Sequence, residues 1–358
     1  MLTAITMENK MRIMLGMSGG VDSSVAALLL KQSGADVVGV TLRLTEDDDG
    51  TNAENAKKVA DALNISHITA DMRAEFQKNV TDYFVQEYKN GRTPNPCVVC
   101  NRTIKFGKML DFAEKSGCSH VATGHYARVE RNPATGLYAL KKAAYLEKDQ
   151  TYFLYTLTQE RLSKTLFPLG SYTKPQVREL AEQYGLASAK NRDSQDICFI
   201  PDGDKNRYLK QFLNEQPGNF TDADGNILGT HKGIFHYTVG QRKGLGTAFG
   251  KPMFVLSINT KDNTIVLGEA GSEFSEGFYV EDCNFLPFCA APDGFECLCK
   301  VRYSAPDMPC RLEKTENGYC VRLTAPARAI TPGQAAVFYS SDELIGGGTI
   351  IKSFSGKL

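Results

Sequence analysis

Residues 11–34 read MRIMLGMSGGVDSSVAALLLKQSG, and the fold follows from how this stretch changes character along its length. Residues 12–17 are a short, mostly apolar run of the kind that forms a buried strand. Ser18, Gly19 and Gly20 break it. Asp22, Ser23 and Ser24 carry helix-start chemistry. Residues 25–30 continue the helix, and Gly34 is placed to end it. The glycines therefore mark a strand-to-helix turn that presents backbone N–H groups and the positive end of a helix dipole. That arrangement is an anion site. Gly19 and Gly20 let a phosphate approach the backbone closely, and Ser18 and Ser23 add hydroxyls. Asp22 is out of place beside a phosphate unless it orders the loop or reaches Mg²⁺.

The turn has no Gly-Lys-Ser/Thr, so it is not a Walker loop, and it does not follow Gly-x-Gly-x-x-Gly. The string Ser18, Gly19, Gly20, Val21, Asp22, Ser23 resembles instead the pyrophosphate-binding loop of ATP pyrophosphatases. Those enzymes split ATP between its α and β phosphates and adenylate an oxygen of the substrate. The loop alone leaves the substrate open, because the family also holds GMP, asparagine and NAD synthetases.

Strand and helix patterns alternate beyond the turn. Residues 35–44, 65–70 and 120–124 read as strands; residues 52–63, 74–90, 102–116, 148–162 and 174–184 read as helices. Alternation of this kind means an α/β fold with a doubly wound, mostly parallel sheet, whose ligands sit at the carboxyl ends of strands. The phosphate loop, residues 41–44 and residues 123–126 should converge there. A first boundary falls near residues 200–210, and after Gly218 the pattern changes to short strands with frequent glycine. From about residue 275 it is almost purely short β runs, which read as a small antiparallel barrel or sandwich. The expected organisation is an extension at 1–10, a catalytic domain at 11–205, a central domain at 206–272 and a C-terminal β-barrel at 273–358.

Hydrophobic content of 42% and charge of 23% are those of an ordinary soluble chain, and no run is long and apolar enough to cross a membrane. Residues 1–10 lack a secretory pattern, so a cytoplasmic protein is expected. The 41 basic and 41 acidic side chains cancel, which argues against non-specific coating of DNA while leaving room for a local RNA-binding surface. Ten cysteines without a signal peptide suggest reduced thiols.

The segment TPNPCVVCN, residues 93–101, is the second informative stretch. Its prolines read as stiff and non-helical. Cys100 is then expected at the start of a helix beginning near Arg102, where the helix dipole, Arg102 and Lys105 favour thiolate. Cys198 lies in a second irregular segment, and if both loops overhang the strand ends the two thiols meet beside the nucleotide. Three readings stay open: a nucleophile with a sulfur carrier, an iron–sulfur cluster on Cys97, Cys100 and Cys198, or inert buried cysteines. Cys283, Cys289, Cys297, Cys299, Cys310 and Cys320 read as small core residues of the β-rich part.

Taken together, the loop, the Asn95, Pro96, Cys97, Cys100 segment, ATGHYAR at 122–128, KDQTYFL at 148–154, DSQDICFI at 193–200, HYTVGQRKG at 236–244, VRY at 301–303 and PGQA at 332–335 closely resemble the tRNA-specific 2-thiouridylases. The resemblance covers the chain from residue 11 onward. It implies ATP on Gly16, Met17, Ser18, Gly19, Gly20, Val21, Asp22 and Ser23, with Leu42 and Gly124 near the adenine. It implies adenylation of the C2 oxygen of the wobble uridine, with Mg²⁺ offsetting the charge of pyrophosphate, and sulfur delivered as a persulfide by a cysteine desulfurase or relay protein. Cys198 matches the persulfide cysteine and Cys100 the nucleophile, and the two can end as a disulfide. Asn95, Pro96 and Cys97 match the segment that meets the target base. His125, Lys148, Asp149, Gln150, Arg302, Tyr303 and Gln334 match tRNA-contacting positions, with the lysine, glutamate and glutamine acceptors as the expected tRNAs. Many members have Asp where this chain has Cys97, and the third thiol is what keeps the cluster in view. A small-molecule synthetase and a non-catalytic RNA-binding protein are the rival functions. The first would want a glutaminase nucleophile, the second a degraded loop, and the chain shows neither.

Overall fold

The computed structural model describes residues 11–189 and 197–355; residues 1–10, and with them the expected extension, and residues 190–196, with Asp193, Ser194, Gln195 and Asp196 of the quoted motif, lie outside. The described chain divides into two compact units. One holds residues 11–79, 98–189 and 342–344, the other residues 80–97, 197–341 and 345–355.

The first unit is built on a parallel sheet. Strands β1 (Arg12–Gly16), β2 (Asp36–Arg43), β3 (Ser66–Asp71), β4 (His120–Ala122) and β7 (Thr165–Leu166) lie in the order β3-β2-β1-β4-β7. Every pairing in it is parallel. The chain runs outward from β1 through β2 and β3, then returns to the other side of β1 as β4. The topological switch therefore falls between β1 and β4, where a doubly wound sheet opens a crevice. Helix α1 (Val21–Gln32) leaves the tip of β1 and is buried along most of its length. Small residues there, Ser23, Ser24, Ala26 and Ala27, let its backbone lie close to the sheet. Gly34, at φ +86°, ends it: Gly34 N–H donates to the Lys31 carbonyl and Ala35 N–H to that of Leu30. This 5→2 and 6→1 pair satisfies carbonyls the helix leaves over. Helix α2 (Thr51–Ala62) follows β2, and α3 (Lys174–Gln183) opens on a reciprocal cap between Thr173 and Gln176. Val177 and Ala181 of α3 share one core with Val25, Ile13 and Leu15. Strands β5 (Ala127–Arg131) and β6 (Tyr138–Lys142) form a hairpin across the turn at 132–136, and Glu343 and Leu344 pair with β6.

Tertiary hydrogen bonding overrides local propensity at one long element. A helix over 148–162 is expected, but the chain makes two 3₁₀ turns, Leu146–Lys148 and Thr151–Leu154, and a short helix, Gln159–Ser163. The cause is Asp149. Its buried carboxylate accepts from Ala143 N–H at 2.9 Å and from the Thr151 hydroxyl at 2.7 Å, which holds residue 149 outside helical geometry.

The second unit contains a small mixed sheet and a barrel. Strands β8 (Gly218–Thr221), β9 (Ile227–His231), β10 (Met253–Asn259) and β11 (Thr264–Glu269) are ordered β10-β11-β8-β9 around Phe220, Tyr237, Val255, Ile265 and Leu267. Strands β12 (Phe274–Phe285), β13 (Phe295–Lys300), β14 (Met308–Lys314), β15 (Gly318–Arg328), β16 (Ala335–Ser340) and β17 (Glu343–Phe354) run β12-β15-β14-β13-β16-β17. Pairing of β17 with β12 closes them into a six-stranded barrel, which removes every open edge. Cys299 and Cys310 are core residues of this barrel and Cys320 is buried, as expected, whereas Cys289 is exposed.

An aromatic cluster of Phe84, Tyr88, Phe199 and Tyr208 lies beside these sheets, within the same unit. Lys205 sets its ammonium 4.5 Å from the centre of the Tyr88 ring, and burial pushes that ammonium down to about 8. The folded protein thus binds this proton less tightly than the unfolded chain, whose lysines titrate near ~10.4. Below pH 8 both states carry the charge and the fold bears the full desolvation cost; between 8 and ~10.4 the cost fades as the folded state loses the proton. Lys205→Met is expected to stabilise the protein by about 1–2 kcal/mol at pH 7, after loss of the cation–π contact, with the gain gone near pH 10.5. Denaturant midpoints at the two pH values check this.

Candidate active site

The tip of β1 is fixed before the loop begins. Met17 N–H donates to the Val40 carbonyl at 2.8 Å, and the Thr41 hydroxyl donates to the Met17 carbonyl at 2.8 Å. With that O–H committed, His67 Nε2 at 2.9 Å is the donor to Thr41 Oγ1, which sets the imidazole tautomer. Gly19 takes φ +73°, and a Cβ there would stand 2.8 Å from the Asn52 carbonyl oxygen, so the loop lies directly on α2. Ser23 is buried, and its hydroxyl donates to the Gly20 carbonyl while accepting from Ser18 N–H. It shapes the loop from within instead of reaching outward. Ser18, exposed, is the hydroxyl that faces solvent. The expected convergence is present: a Cβ on Gly124 would come within 2.9 Å of Ser23 N, so the chain just past β4 abuts the start of α1. Leu42 is half-buried at the end of β2. Above this floor stand the first N–H groups of α1, which a helix cannot pair internally.

Asp22 explains its own position. Lys174 Nζ lies 2.7 Å from Oδ1 and 2.9 Å from Oδ2, and the Tyr126 hydroxyl donates to Oδ1 at 2.8 Å. Lys174 is nearly buried, with 9% of its side chain exposed against 33% for Asp22. An acidic residue in the first turn of α1 is thereby neutralised by an ammonium from the first residue of α3. Sequence reading missed both Lys174 and Tyr126, because nothing local ties residues 126 and 174 to residue 22.

Cys100 sits differently from expectation. The helix begins at Pro96, which suits a first helical residue because it has no N–H to lose. Cys97 is therefore in the first turn and exposed, and Cys100 ends the Pro96–Cys100 segment with 7% of its surface exposed. A π-helical stretch, Asn101–Lys108, follows before α-helical winding resumes at Met109–Lys115. Within it the Arg102 carbonyl accepts from Arg161 Nη1 at 2.8 Å, and a Cβ on Gly107 would stand 3.0 Å from that oxygen. Asn101 Nδ2 donates to the Phe153 carbonyl at 3.1 Å. Cys198 is exposed on a turn closed by Ile200 N–H to the Ile197 carbonyl, with Phe199 and Ile200 buried. Cys100 belongs to the first unit, Cys97 and Cys198 to the second.

The residues expected at tRNA divide by exposure. Tyr303 is exposed and Lys148 half-buried. Gln150 accepts Tyr126 N–H through Oε1. His125 is buried between Phe106 and Phe167 with Nδ1 2.7 Å from the Thr123 hydroxyl, and burial, helped by Lys105, holds its ring neutral. Asp149 is buried in the turn described above. Arg302 donates to the Val239 and Ala329 carbonyls and to the Thr331 hydroxyl. Gln334 donates to the carbonyls of Thr93 and Pro94.

Among the described residues no group of three or more His, Cys, Asp or Glu side chains is arranged to hold a metal ion. The Asp22 carboxylate is met by one ammonium across both its oxygens. No helix of the described residues is long and apolar enough to cross a membrane.

Three family models match in sequence along the chain: a tRNA methyl transferase HUP domain over residues 11–202, a tRNA methyl transferase PRC-barrel domain over 206–269 and an aminomethyltransferase β-barrel domain over 275–350. The chain is 46% identical to the tRNA-specific 2-thiouridylase MnmA of Lachnoclostridium phytofermentans, across 95% of this chain and 99% of that one. It is 46% identical to that of Clostridioides difficile, across 96% and 98%, and 47% identical to that of Carboxydothermus hydrogenoformans, across 95% and 98%.

Proposed function

The chain belongs to the family of tRNA-specific 2-thiouridylases, and from that premise we propose that it exchanges the C2 oxygen of the wobble uridine of tRNA for sulfur at the expense of ATP. A carbonyl oxygen is a poor leaving group. Adenylation turns it into the oxygen of AMP, and the departing pyrophosphate is stabilised by groups already aimed at it. The observation that carries this half is the glycine turn at the head of α1, whose one carboxylate, Asp22, is neutralised by Lys174. Gly16, Met17, Ser18, Gly19, Gly20, Val21, Asp22 and Ser23 form the cradle, with Leu42 and Gly124 at its adenine side.

The sulfur half runs through two thiols. Cys198, exposed on its turn, suits a group that must accept sulfur from a donor protein such as a cysteine desulfurase or a relay. Its terminal persulfide sulfur displaces AMP from C2 and the Cys100 thiolate then attacks the Cys198 sulfur to free the thiouridine, or Cys100 attacks Cys198 first and the hydrosulfide so released displaces AMP; either way Cys100 and Cys198 finish as a disulfide that a reductant must reopen. Asn95, Pro96 and Cys97 meet the base, which has to leave the anticodon stack. Lys148, Gln150 and Tyr303 present side chains that can reach RNA; of the other positions the resemblance gives as tRNA-contacting, Arg302 and Gln334 are half-buried and His125 and Asp149 buried. The lysine, glutamate and glutamine acceptors and a cytoplasmic setting complete the reading.

Purified protein with ATP, an unmodified tRNA transcript, a persulfide sulfur source and a reductant is expected to release AMP and pyrophosphate in amounts that depend on the tRNA. Formation of ADP, or AMP release indifferent to tRNA, overturns the reading. The same assay separates it from methyl transfer, which liberates neither product.

A further inference from the structure

Two stretches singled out in the sequence, residues 236–244 and 332–335, meet the segment leading to Asn95 in the second unit, and Arg302 of a third, residues 301–303, ties to Val239 and Thr331 beside them. Thr93 N–H donates to the Pro332 carbonyl at 2.9 Å. The Thr93 hydroxyl donates to that of Thr238 at 3.2 Å. Gln334 Nε2 donates to the carbonyls of Thr93 at 2.8 Å and Pro94 at 3.2 Å. Gly333, at φ +89°, lets the turn come close: a Cβ there would stand 3.0 Å from Thr93 N.

The turn that makes these contacts is itself tied down. Gly333 N–H donates to the Ile350 carbonyl and Ile350 N–H to that of Gln334, each at 2.8 Å, which fastens the turn to β17 of the barrel. Arg302 joins Val239 and Ala329 through their carbonyls, and a Cβ on Gly240 would fall 2.2 Å from Ala329 Cβ. On the upstream side Gly91 rests against Ile258, and Arg92 pairs with the buried Glu87 at 2.7 Å. The segment needs such support. Pro94 and Pro96 have no N–H, so its backbone cannot be held by a ladder of its own.

We infer that Gln334 is a positioning residue, which together with the 331–333 turn and Thr238 brackets residues 93–94 and so aims Asn95 and Cys97. The inference rests on the reading that Asn95, Pro96 and Cys97 meet the target base. On this view the barrel contributes to catalysis by holding the base-contacting segment.

Gln334→Leu keeps the size of the side chain and removes its donors. In the full-length protein it is expected to raise amide hydrogen exchange over residues 92–97 by about tenfold or more while exchange in the barrel strands stays unchanged. The kcat of tRNA-dependent AMP formation should fall by about tenfold, with tRNA Kd within about twofold of wild type. Thr238→Val, which removes a single bond of the bracket, should shift both readouts in the same direction by less, and it serves if Gln334→Leu does not fold. Unchanged exchange accompanied by weaker tRNA binding would make Gln334 a direct RNA contact and overturn the proposal, as would faster exchange with wild-type turnover. Asn95→Ala tests the underlying reading separately: with the bracket intact by exchange, wild-type turnover in that variant would remove the base-contact role without touching the bracket.

Discussion

Lys174→Met is expected to lower tRNA-dependent AMP formation by about two orders of magnitude. Lys174 is the counter-charge of Asp22, with its ammonium within 2.9 Å of both carboxylate oxygens. Removing it leaves a bare carboxylate at the mouth of the phosphate loop. Two like charges ~5 Å apart in an effective dielectric of ~20 repel by about 3 kcal/mol, which is about a hundredfold in a binding or rate constant. Asp22→Ala removes the group that orders Tyr126 and Lys174 and should abolish adenylation to a similar or greater degree while leaving tRNA binding intact. Because the two residues act as one unit, the double variant should be far less impaired than the product of the single losses. Adenylation assays on the three variants, with tRNA affinity measured alongside, settle the matter. Wild-type AMP formation in Lys174→Met would show that the neutralising charge does not matter for the chemistry, and in Asp22→Ala that the carboxylate does not.

The second large effect is on sulfur transfer alone. Cys198→Ala and Cys100→Ala are each expected to reduce 2-thiouridine formation on the order of 10⁴-fold, the scale on which loss of a covalent nucleophile is felt. tRNA-dependent pyrophosphate release and accumulation of adenylated tRNA should survive in Cys198→Ala, since activation of C2 precedes arrival of sulfur. Mass spectrometry of the product tRNA separates the two halves. Cys97→Ala is the diagnostic partner. Full thiolation in that variant, with no iron taken up by the wild type on anaerobic reconstitution, leaves the persulfide route standing. Thiolation that requires both Cys97 and bound iron would replace it with a cluster.

Much of this site was legible because its signals are local. The strand, the glycine break and the helix start at residues 12–24 are written in adjacent residues, and Gly34 ends the helix at φ +86° as its position implies. The parallel sheet follows from strands alternating with helices, and the closed barrel from β runs too short and too numerous to leave edges exposed. Proline chemistry misled in one place: Pro96 reads as a helix breaker but opens the helix, because its missing N–H costs nothing at the first position. That moved Cys97, not Cys100, to the helix start. The expected helix over 148–162 failed because a buried Asp149 recruited hydrogen bonds from its surroundings.

The strand, turn and helix of residues 12–32 and the alternation of strands with helices were legible in the residues alone, since each depends on residues within a few positions of one another. Tertiary structure alone decided what those residues do to each other. It brought Lys174 to Asp22 across 152 positions and Gln334 to Thr93 across 241. Such pairs form where folding excludes water from a polar group and obliges it to find a partner, and that partner is chosen by the packing of whole elements instead of by neighbours along the chain.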